Sequence, residues 1–166
     1  MSEQIKKRSI LSNTGQLQWD YATPDTSHFT INTDGTKALV GFVPKHEYTL
    51  GDMKMSMDNK FGVLFVTALE KDKTLATCKS ALIMTISRVR NTGMEFDDVR
   101  GLVSLGQAPM LMEPIFGSIT FARKVSQVFI LDHDGRRTDK TLAVDNNRVT
   151  IDGSVDKTLY YEAVFE

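Results

Sequence analysis

The sequence contains little cysteine and little histidine. Of its 166 residues one is a cysteine, Cys78, and three are histidines, His28, His46 and His133. A single cysteine cannot close an internal disulfide or form a zinc knuckle. The histidines are also too far apart for an HxH or HExxH motif. These absences exclude a disulfide scaffold, and we predict no metal ligands and no cofactor of the zinc type.

The chain also lacks an excess of charge and any long apolar run. Twenty Lys and Arg balance twenty-one Asp and Glu, which argues against a nucleic-acid partner because such proteins carry a basic surface. The longest apolar stretches, 61–69 and 81–86, are far shorter than the roughly 20 residues that span a bilayer. Residues 1–8 are basic but have no apolar segment or cleavage site, so we expect neither a membrane span nor a signal peptide there.

The common enzyme motifs are missing as well. There is no GxSxG elbow, no Walker A loop and no GxGxxG. A glycosidase needs two carboxyls held about 5 to 10 Å apart, and the sequence marks no such pair. Asp20, Asp97, Asp98 and Glu113 are better explained as surface or turn residues. We therefore predict no catalytic residue, and a jelly-roll lyase, which needs a basic residue or a Tyr/His pair in a groove, is the weakest interpretation.

Along much of the sequence, apolar and polar residues alternate with a period of two. Short runs rich in Val, Ile, Thr, Phe and Tyr are separated by turn residues every eight to twelve positions, which indicates a β-sandwich or a barrel. The composition, 41% hydrophobic and 25% charged, is that of an ordinary globular protein. No repeat or linker divides the chain. We predict one all-β domain over residues 1–166, an antiparallel two-sheet, jelly-roll-like sandwich with little helix.

Three segments make this prediction specific. Met53, Met55 and Met57 alternate with polar residues, which predicts a strand with one buried face. Residues 61–69 are almost continuously apolar, which predicts a central strand covered on both faces. Residues 75–90 also fit the spacing of an amphipathic helix. The Thr and Ile content favours a strand that starts at about Ser80.

The best candidate for a ligand site is the segment around the single tryptophan. Sugar rings stack on Trp or Tyr, while polar side chains bond the hydroxyl groups. Trp19 and Tyr21 fall on one face of the predicted strand, and Gln18 and Asp20 on the other. If the first face is exposed it offers a stacking platform, and if it is buried both rings belong to the core. The core interpretation is the commoner one for a lone tryptophan.

Other segments offer weaker candidates. His46 and Tyr48 follow Pro44 in a predicted turn, which suits either a binding loop or a polar loop with a packed tyrosine. Tyr160 and Tyr161 point to opposite faces, so at most one faces solvent. Residues 132–135 have the acidic spacing that begins a calcium loop but lack its distal Glu, so we predict a hairpin. A structural calcium ion elsewhere, for instance near Asp97 and Asp98, stays an open alternative.

Several stretches in order resemble one family of domains. They are Thr14 to Asp20, Phe29 to Thr33, Val66 to Leu69, Asn91 to Met94 and Pro109 to Gly117. Together they are similar to the β-sandwich accessory domain that follows the (β/α)8 catalytic barrel in a group of bacterial glycoside hydrolases. The likeness covers most of the chain from Ser12 to about Phe121.

The resemblance implies a non-catalytic, secreted carbohydrate-binding module that works outside the cell. Its partners would be a plant-type polysaccharide and the catalytic domain of the parent enzyme. The sugar-binding residues would be Trp19, Tyr21, Gln18, Asp20, His46 and Tyr48. The alternative is a structural domain that braces the barrel and has no ligand, which predicts an exposed apolar patch of several hundred Å². The chain starts with Met and has no barrel, so we interpret it as an excised module or a free-standing relative, and the latter would weaken the bracing hypothesis.

Overall fold

A computed structural model describes residues 8–166 of the chain. Residues 1–7, most of the stretch for which we predicted no signal peptide, lie outside the described residues. The described part is almost entirely β-strands and turns, which confirms the predicted all-β class. It contains no helix long and apolar enough to cross a membrane.

The elements are numbered in chain order. They are β1 Ser9–Leu11, β2 Leu17–Asp20, a 3₁₀ turn Pro24–Thr26, β3 His28–Asn32, β4 Thr36–Gly41, β5 Tyr48–Leu50, β6 Met53–Met57, β7 Gly62–Ala68, β8 Ser80–Ile86, β9 Val89–Thr92, β10 Glu95–Phe96, β11 Leu102–Ser104, β12 Gln107–Met112, β13 Phe116–Thr120, β14 Val125–Leu131, β15 Arg137–Leu142, β16 Val144–Asp145, β17 Arg148–Asp152, the helix α1 Gly153–Asp156 and β18 Tyr160–Phe165.

A nine-stranded sheet forms the larger layer. Its order is β1-β2-β3-β4-β7-β8-β18-β14-β15, and every neighbouring pair is antiparallel. Side chains alternate across each strand, so each strand sends one set of residues toward the second sheet. In β8 the inward set is Ala81, Ile83 and Thr85, all buried, while Leu82 and Met84 point outward and are half-buried.

A five-stranded sheet, β16-β17-β13-β6-β5, covers part of the larger one. The core lies between the two sheets and is formed by fully buried side chains such as Leu64, Ile83 and Tyr161 from the first and Met55 and Ile119 from the second. The predicted alternation of the methionines is confirmed, because Met53, Met55 and Met57 are all buried in β6.

Residues 89–112 form an arm made of two small antiparallel ladders. β9 pairs with β12, and β10 pairs with β11. Nearly all of β12 is exposed, including Met110 and Leu111. No strand was predicted for residues 109–114, although residues 109–112 belong to β12.

Two predictions about strands have clear outcomes. The strand predicted from about Ser80 is β8, and residues 75–77 form a turn, so the helical interpretation of residues 75–90 is wrong. Residues 61–69 do contain a central strand, β7, with β4 and β8 as neighbours. Only one face of β7 is covered, however. Leu64 and Val66 are fully buried, while Val63 and Phe65 on the other face are half-buried.

Candidate functional site

Trp19 lies on an exposed part of the molecule, near the edge of the large sheet. Its side chain on β2 is 48% exposed, so the core interpretation does not describe it. Tyr21 follows directly after β2 and is half-buried, and its ring centroid is 5.0 Å from that of Trp19 with 42° between the planes. The two tilted rings contact each other. One sugar ring can therefore stack on Trp19, but the pair does not form a flat platform for two rings.

Gln18 and Asp20 lie on the opposite face of β2, as the alternation predicted. The Gln18 side-chain amide donates hydrogen bonds to Asp20 Oδ2 at 2.8 Å and to Ser9 Oγ at 3.3 Å. The same Asp20 oxygen is 3.6 Å from His28 Nε2. Because both side chains point away from Trp19 and bond each other, they cannot hydrogen-bond a sugar that stacks on the Trp19 ring.

His46 and Tyr48 join these polar groups at one place. The His46 ring stacks on Tyr48 with centroids 3.9 Å apart, and the His28 ring meets Tyr48 edge-on at 5.4 Å. We call Gln18, Asp20, His28, His46 and Tyr48 the Tyr48 cluster. It brings together four of the six predicted site residues and adds His28.

His28 was missed because it is related to Asp20 by strand register and not by sequence spacing. In the β2–β3 ladder Asp20 lies directly opposite His28. The hairpin signal was present in the sequence, since Phe29-Thr30-Ile31 alternates after a turn. Aligning that hairpin residue by residue would have paired the two side chains.

The electrostatics of the Tyr48 cluster do not favour proton transfer by the tyrosine. Burial, and secondly the Asp20 carboxylate, raise the pKa of Tyr48 to about 12. Its hydroxyl is buried and has no hydrogen-bond partner among the described residues. A tyrosine base needs a lowered pKa. His46 and Tyr48 form the Tyr/His pair that a lyase requires, but the raised pKa of Tyr48 is the opposite of what a tyrosine base needs.

His28 is held by its backbone surroundings. Its Nδ1 atom is 2.9 Å from the Thr26 carbonyl oxygen and donates to it, which directs Nε2 toward Asp20. The His28 side chain is 10% exposed and that of Asp20 is 28% exposed. The cluster therefore packs the end of the large sheet against Tyr48 of β5 and presents mainly His46 to solvent.

The acidic segments considered for calcium are used in turns. Asp97 Oδ1 accepts hydrogen bonds from the backbone N–H groups of Val99 and Gly101, and Asp132 Oδ1 accepts them from Asp134 and Arg136. The second turn is the predicted β14–β15 hairpin. Within residues 8–166 no group of three or more His, Cys, Asp or Glu side chains is arranged to hold a metal ion.

The outer face of the large sheet, which points away from the small sheet, carries an extended set of apolar side chains. Cross-strand neighbours on this side form two adjacent rows, each spanning six strands. The first row is Ile10, Trp19, Phe29, Val40, Val63 and Ile86, and the second is Leu17, Ile31, Ala38, Phe65, Met84 and Tyr160. Every member is apolar or aromatic, and all except Ala38 are half-buried or exposed.

The small sheet shows the opposite pattern on its own outward side. Ser56, Ser118 and Thr150 are cross-strand neighbours there, and Lys54, Thr120 and Arg148 form the next row. Antiparallel sheets with one solvated face normally alternate in this way, with apolar residues inward and polar residues outward. The large sheet departs from that rule on the side where no layer of the described chain covers it.

Comparisons with known proteins add nothing to these observations. No protein-family model matches the chain. No curated protein matches it, and neither does any solved structure.

Proposed function

We propose that this chain is a β-sandwich accessory domain that docks on another folded domain through the outer face of its nine-stranded sheet. The observation that carries the proposal is the pair of apolar rows on that face. Adjacent strands are about 4.8 Å apart, so six strands give a surface about 24 Å wide, and two rows give roughly 300 Å² in projection. The largest apolar patch on a typical monomeric protein covers about 300 to 600 Å² and is often functional.

The contrast between the two sheets supports docking over chance exposure. The small sheet has polar side chains on its solvent side. It therefore follows the usual alternation of apolar residues inward and polar residues outward. On the large sheet Trp19, Ile10 and Leu17 are 48%, 39% and 37% exposed. Removing such apolar surface from water contributes about 25 cal/mol for each Å², which favours association against its entropy cost.

The resemblance to accessory domains of glycoside hydrolases supports one kind of partner. In those enzymes the sandwich follows a (β/α)8 barrel, so the partner proposed here is the catalytic barrel of a polysaccharide-degrading enzyme. The barrel would lie in the same parent chain or in a separate one. An extracellular location and a non-catalytic role belong to the same proposal.

The test uses a charge placed on one of the two outward sides. Met84→Glu puts a carboxylate in the second apolar row, while Thr150→Glu puts one on the exposed side of the small sheet. The binding partner in the test is the catalytic barrel of a glycoside hydrolase from which the accessory domain has been removed. We expect the wild type and Thr150→Glu to associate with this barrel in sedimentation velocity experiments. Met84→Glu should bind at least about tenfold more weakly, because a buried unpaired charge is costly.

A second readout does not need the barrel. A hydrophobic dye such as ANS should fluoresce in the presence of the native wild type and of Thr150→Glu, and much less with Met84→Glu. Circular dichroism checks that all three are folded. Absence of both barrel association and dye binding by the wild type would contradict docking through this face.

Carbohydrate binding is the second candidate function, because Trp19, the second residue of the first row, is exposed. Here the ring itself would stack on a sugar, with Tyr21 beside it. Plant-type polysaccharides are the proposed ligands. Titrating glucans, mannans and xylans should then shift the fluorescence maximum of Trp19, the single tryptophan of the chain. Tyr21→Ala should weaken that response, and an emission spectrum unmoved by any of these sugars would remove this candidate.

A further inference from the structure

A cavity of about 380 Å³ opens beyond the end of the outer face, between the sandwich and the arm. It starts where β8 ends at Ile86 and the chain continues through Arg88 and Arg90 into the arm. Its walls include two aromatic rings, Phe42 from the end of β4 and Phe96 from β10. We call this cavity the cationic pocket.

Four cationic side chains line the pocket, and one carboxylate, Asp25, does so as well. The cations are Lys60, Arg88, Arg90 and Arg100, which come from three separate stretches of the chain. This local excess of positive charge stands in a protein whose formal net charge is -1. Like charges gathered in one cavity repel one another unless something compensates them.

Among residues 8–166, only one of the four cations forms an ion pair. Arg88 makes a bidentate ion pair with Glu113, Nε to Oε2 at 2.9 Å and a terminal nitrogen to Oε1 at 2.8 Å. The hydrogen bond from Arg88 is the main cause of the lowered pKa of the Glu113 carboxyl, and the charge of Arg90 adds a smaller lowering. In residues 8–166 no carboxylate lies within ion-pair distance of Lys60, Arg90 or Arg100, and their side chains make no hydrogen bond there.

The arm carries two of the cations that form no ion pair, Arg90 and Arg100. The Arg90 guanidinium carbon lies 5.0 Å from the centre of the Phe96 ring, a cation–π contact. Arg100 has a φ of 66°, a left-handed conformation that L residues rarely adopt, in the turn fixed by Asp97. A glycine or asparagine would suit that backbone better, so an arginine at this position is consistent with a need for its side chain.

We infer that the cationic pocket binds a small ligand that joins an oxyanion to a carbon ring, such as an acidic monosaccharide or a sugar phosphate. The oxyanion would lie between Arg90, Arg100 and Lys60, since guanidinium groups bind carboxylates and phosphates with paired hydrogen bonds. The apolar side of the ring would contact Phe42 and Phe96. The volume of the pocket is at the lower end of the range for small-molecule sites.

The experiment titrates the chain with glucuronate, glucose 6-phosphate, glucose and inorganic phosphate at low ionic strength, followed by calorimetry or by NMR. We expect at least one of the two charged sugars to bind and glucose not to bind. Glucuronate alone would identify a carboxylate ligand, and glucose 6-phosphate alone a phosphate ligand. Added salt should weaken the binding because the contact is between charges.

Two variants and one control locate the site. Arg90→Gln and Arg100→Gln should each weaken binding at least about tenfold, as expected for the loss of one charge-assisted hydrogen bond. Arg136→Gln removes the same charge from an exposed hairpin and should change nothing.

Several results would overturn the inference. They are binding of neither charged sugar, equal binding of glucose, inorganic phosphate binding as tightly as the sugar phosphate, or equal losses in all three variants. The measurement uses the chain alone, so it stands apart from the docking proposal.

Discussion

Replacing Asn59 by alanine should lower the free energy of unfolding by about 3 kcal/mol, the largest loss we expect from a single side chain outside the apolar core. Asn59 is 9% exposed and lies in the loop that carries the chain from the small sheet to the large one. Its amide nitrogen donates to the Pro114 carbonyl oxygen at 2.7 Å, and its Oδ1 accepts the Phe116 N–H at 2.7 Å. Alanine leaves both backbone groups without a partner.

The matched control is Asn91→Ala. The Asn91 side chain makes one hydrogen bond, to the Leu105 carbonyl oxygen at 2.9 Å, in the exposed arm. We expect it to cost less than about 1 kcal/mol, since water can replace the lost partner. The loss of stability in Asn59→Asp should lie between those of Asn59→Ala and Asn91→Ala, because the aspartate keeps the acceptor for the Phe116 N–H and loses the donor to the Pro114 carbonyl oxygen. Urea denaturation gives all three values, and equal losses at Asn59 and Asn91 would show that Asn59 does not join the loop to β13.

The sequence predicted the strands best where local patterning decides the structure. Met53, Met55 and Met57 alternate with polar residues, and the small sheet uses that alternation directly, with one side in the core and the other in water. β8 shows the limit of such patterns. Its residues fit a helical spacing too, and the β-branched content identified the strand because β-branched side chains pack well on a pleated surface.

β7 is a strand for which the apolar sequence predicted more cover than the described chain provides. Its continuous apolar sequence predicted cover on both faces, and the structure provides it on one face only. A sequence records the surroundings in which a strand works, whether they come from the same chain or from a partner. The difference between the predicted and the observed cover at Val63 and Phe65 is therefore itself a reason to propose a docked domain.

The sites depended on information that no local pattern contains. Trp19 was predicted as a site residue because it is the single tryptophan. Its exposure follows from the position of β2 near the edge of the sheet, which the sequence did not predict. His28 lies beside Asp20 because of the strand register, and the cationic pocket is lined by side chains from five separate stretches of the chain. Such groupings follow from the order of the strands in each sheet, which the sequence did not predict.

The two most buried tyrosine hydroxyls should respond in opposite ways to the same substitution. Tyr161 is fully buried, and its hydroxyl donates to Asp156 Oδ2 at 2.9 Å, which joins helix α1 to the core. Tyr161→Phe should lower the free energy of unfolding by about 2 kcal/mol, because the Asp156 carboxyl, whose pKa burial already raises, loses its donor. Tyr48→Phe removes a hydroxyl that is buried without a partner, so it should leave stability unchanged or raise it by about 1 kcal/mol.

The pair of variants separates hydrogen bonding from packing, because each exchange removes one oxygen and keeps the ring. The His46 and His28 contacts to the Tyr48 ring should survive in Tyr48→Phe, and the far-ultraviolet circular dichroism of both variants should match the wild type. Thermal or urea unfolding then shows whether each variant is more or less stable than the wild type. A clear loss in Tyr48→Phe would mean that its hydroxyl does have a partner, and Asp20, whose charge contributes to the raised pKa of Tyr48, would be the first group to exchange for asparagine.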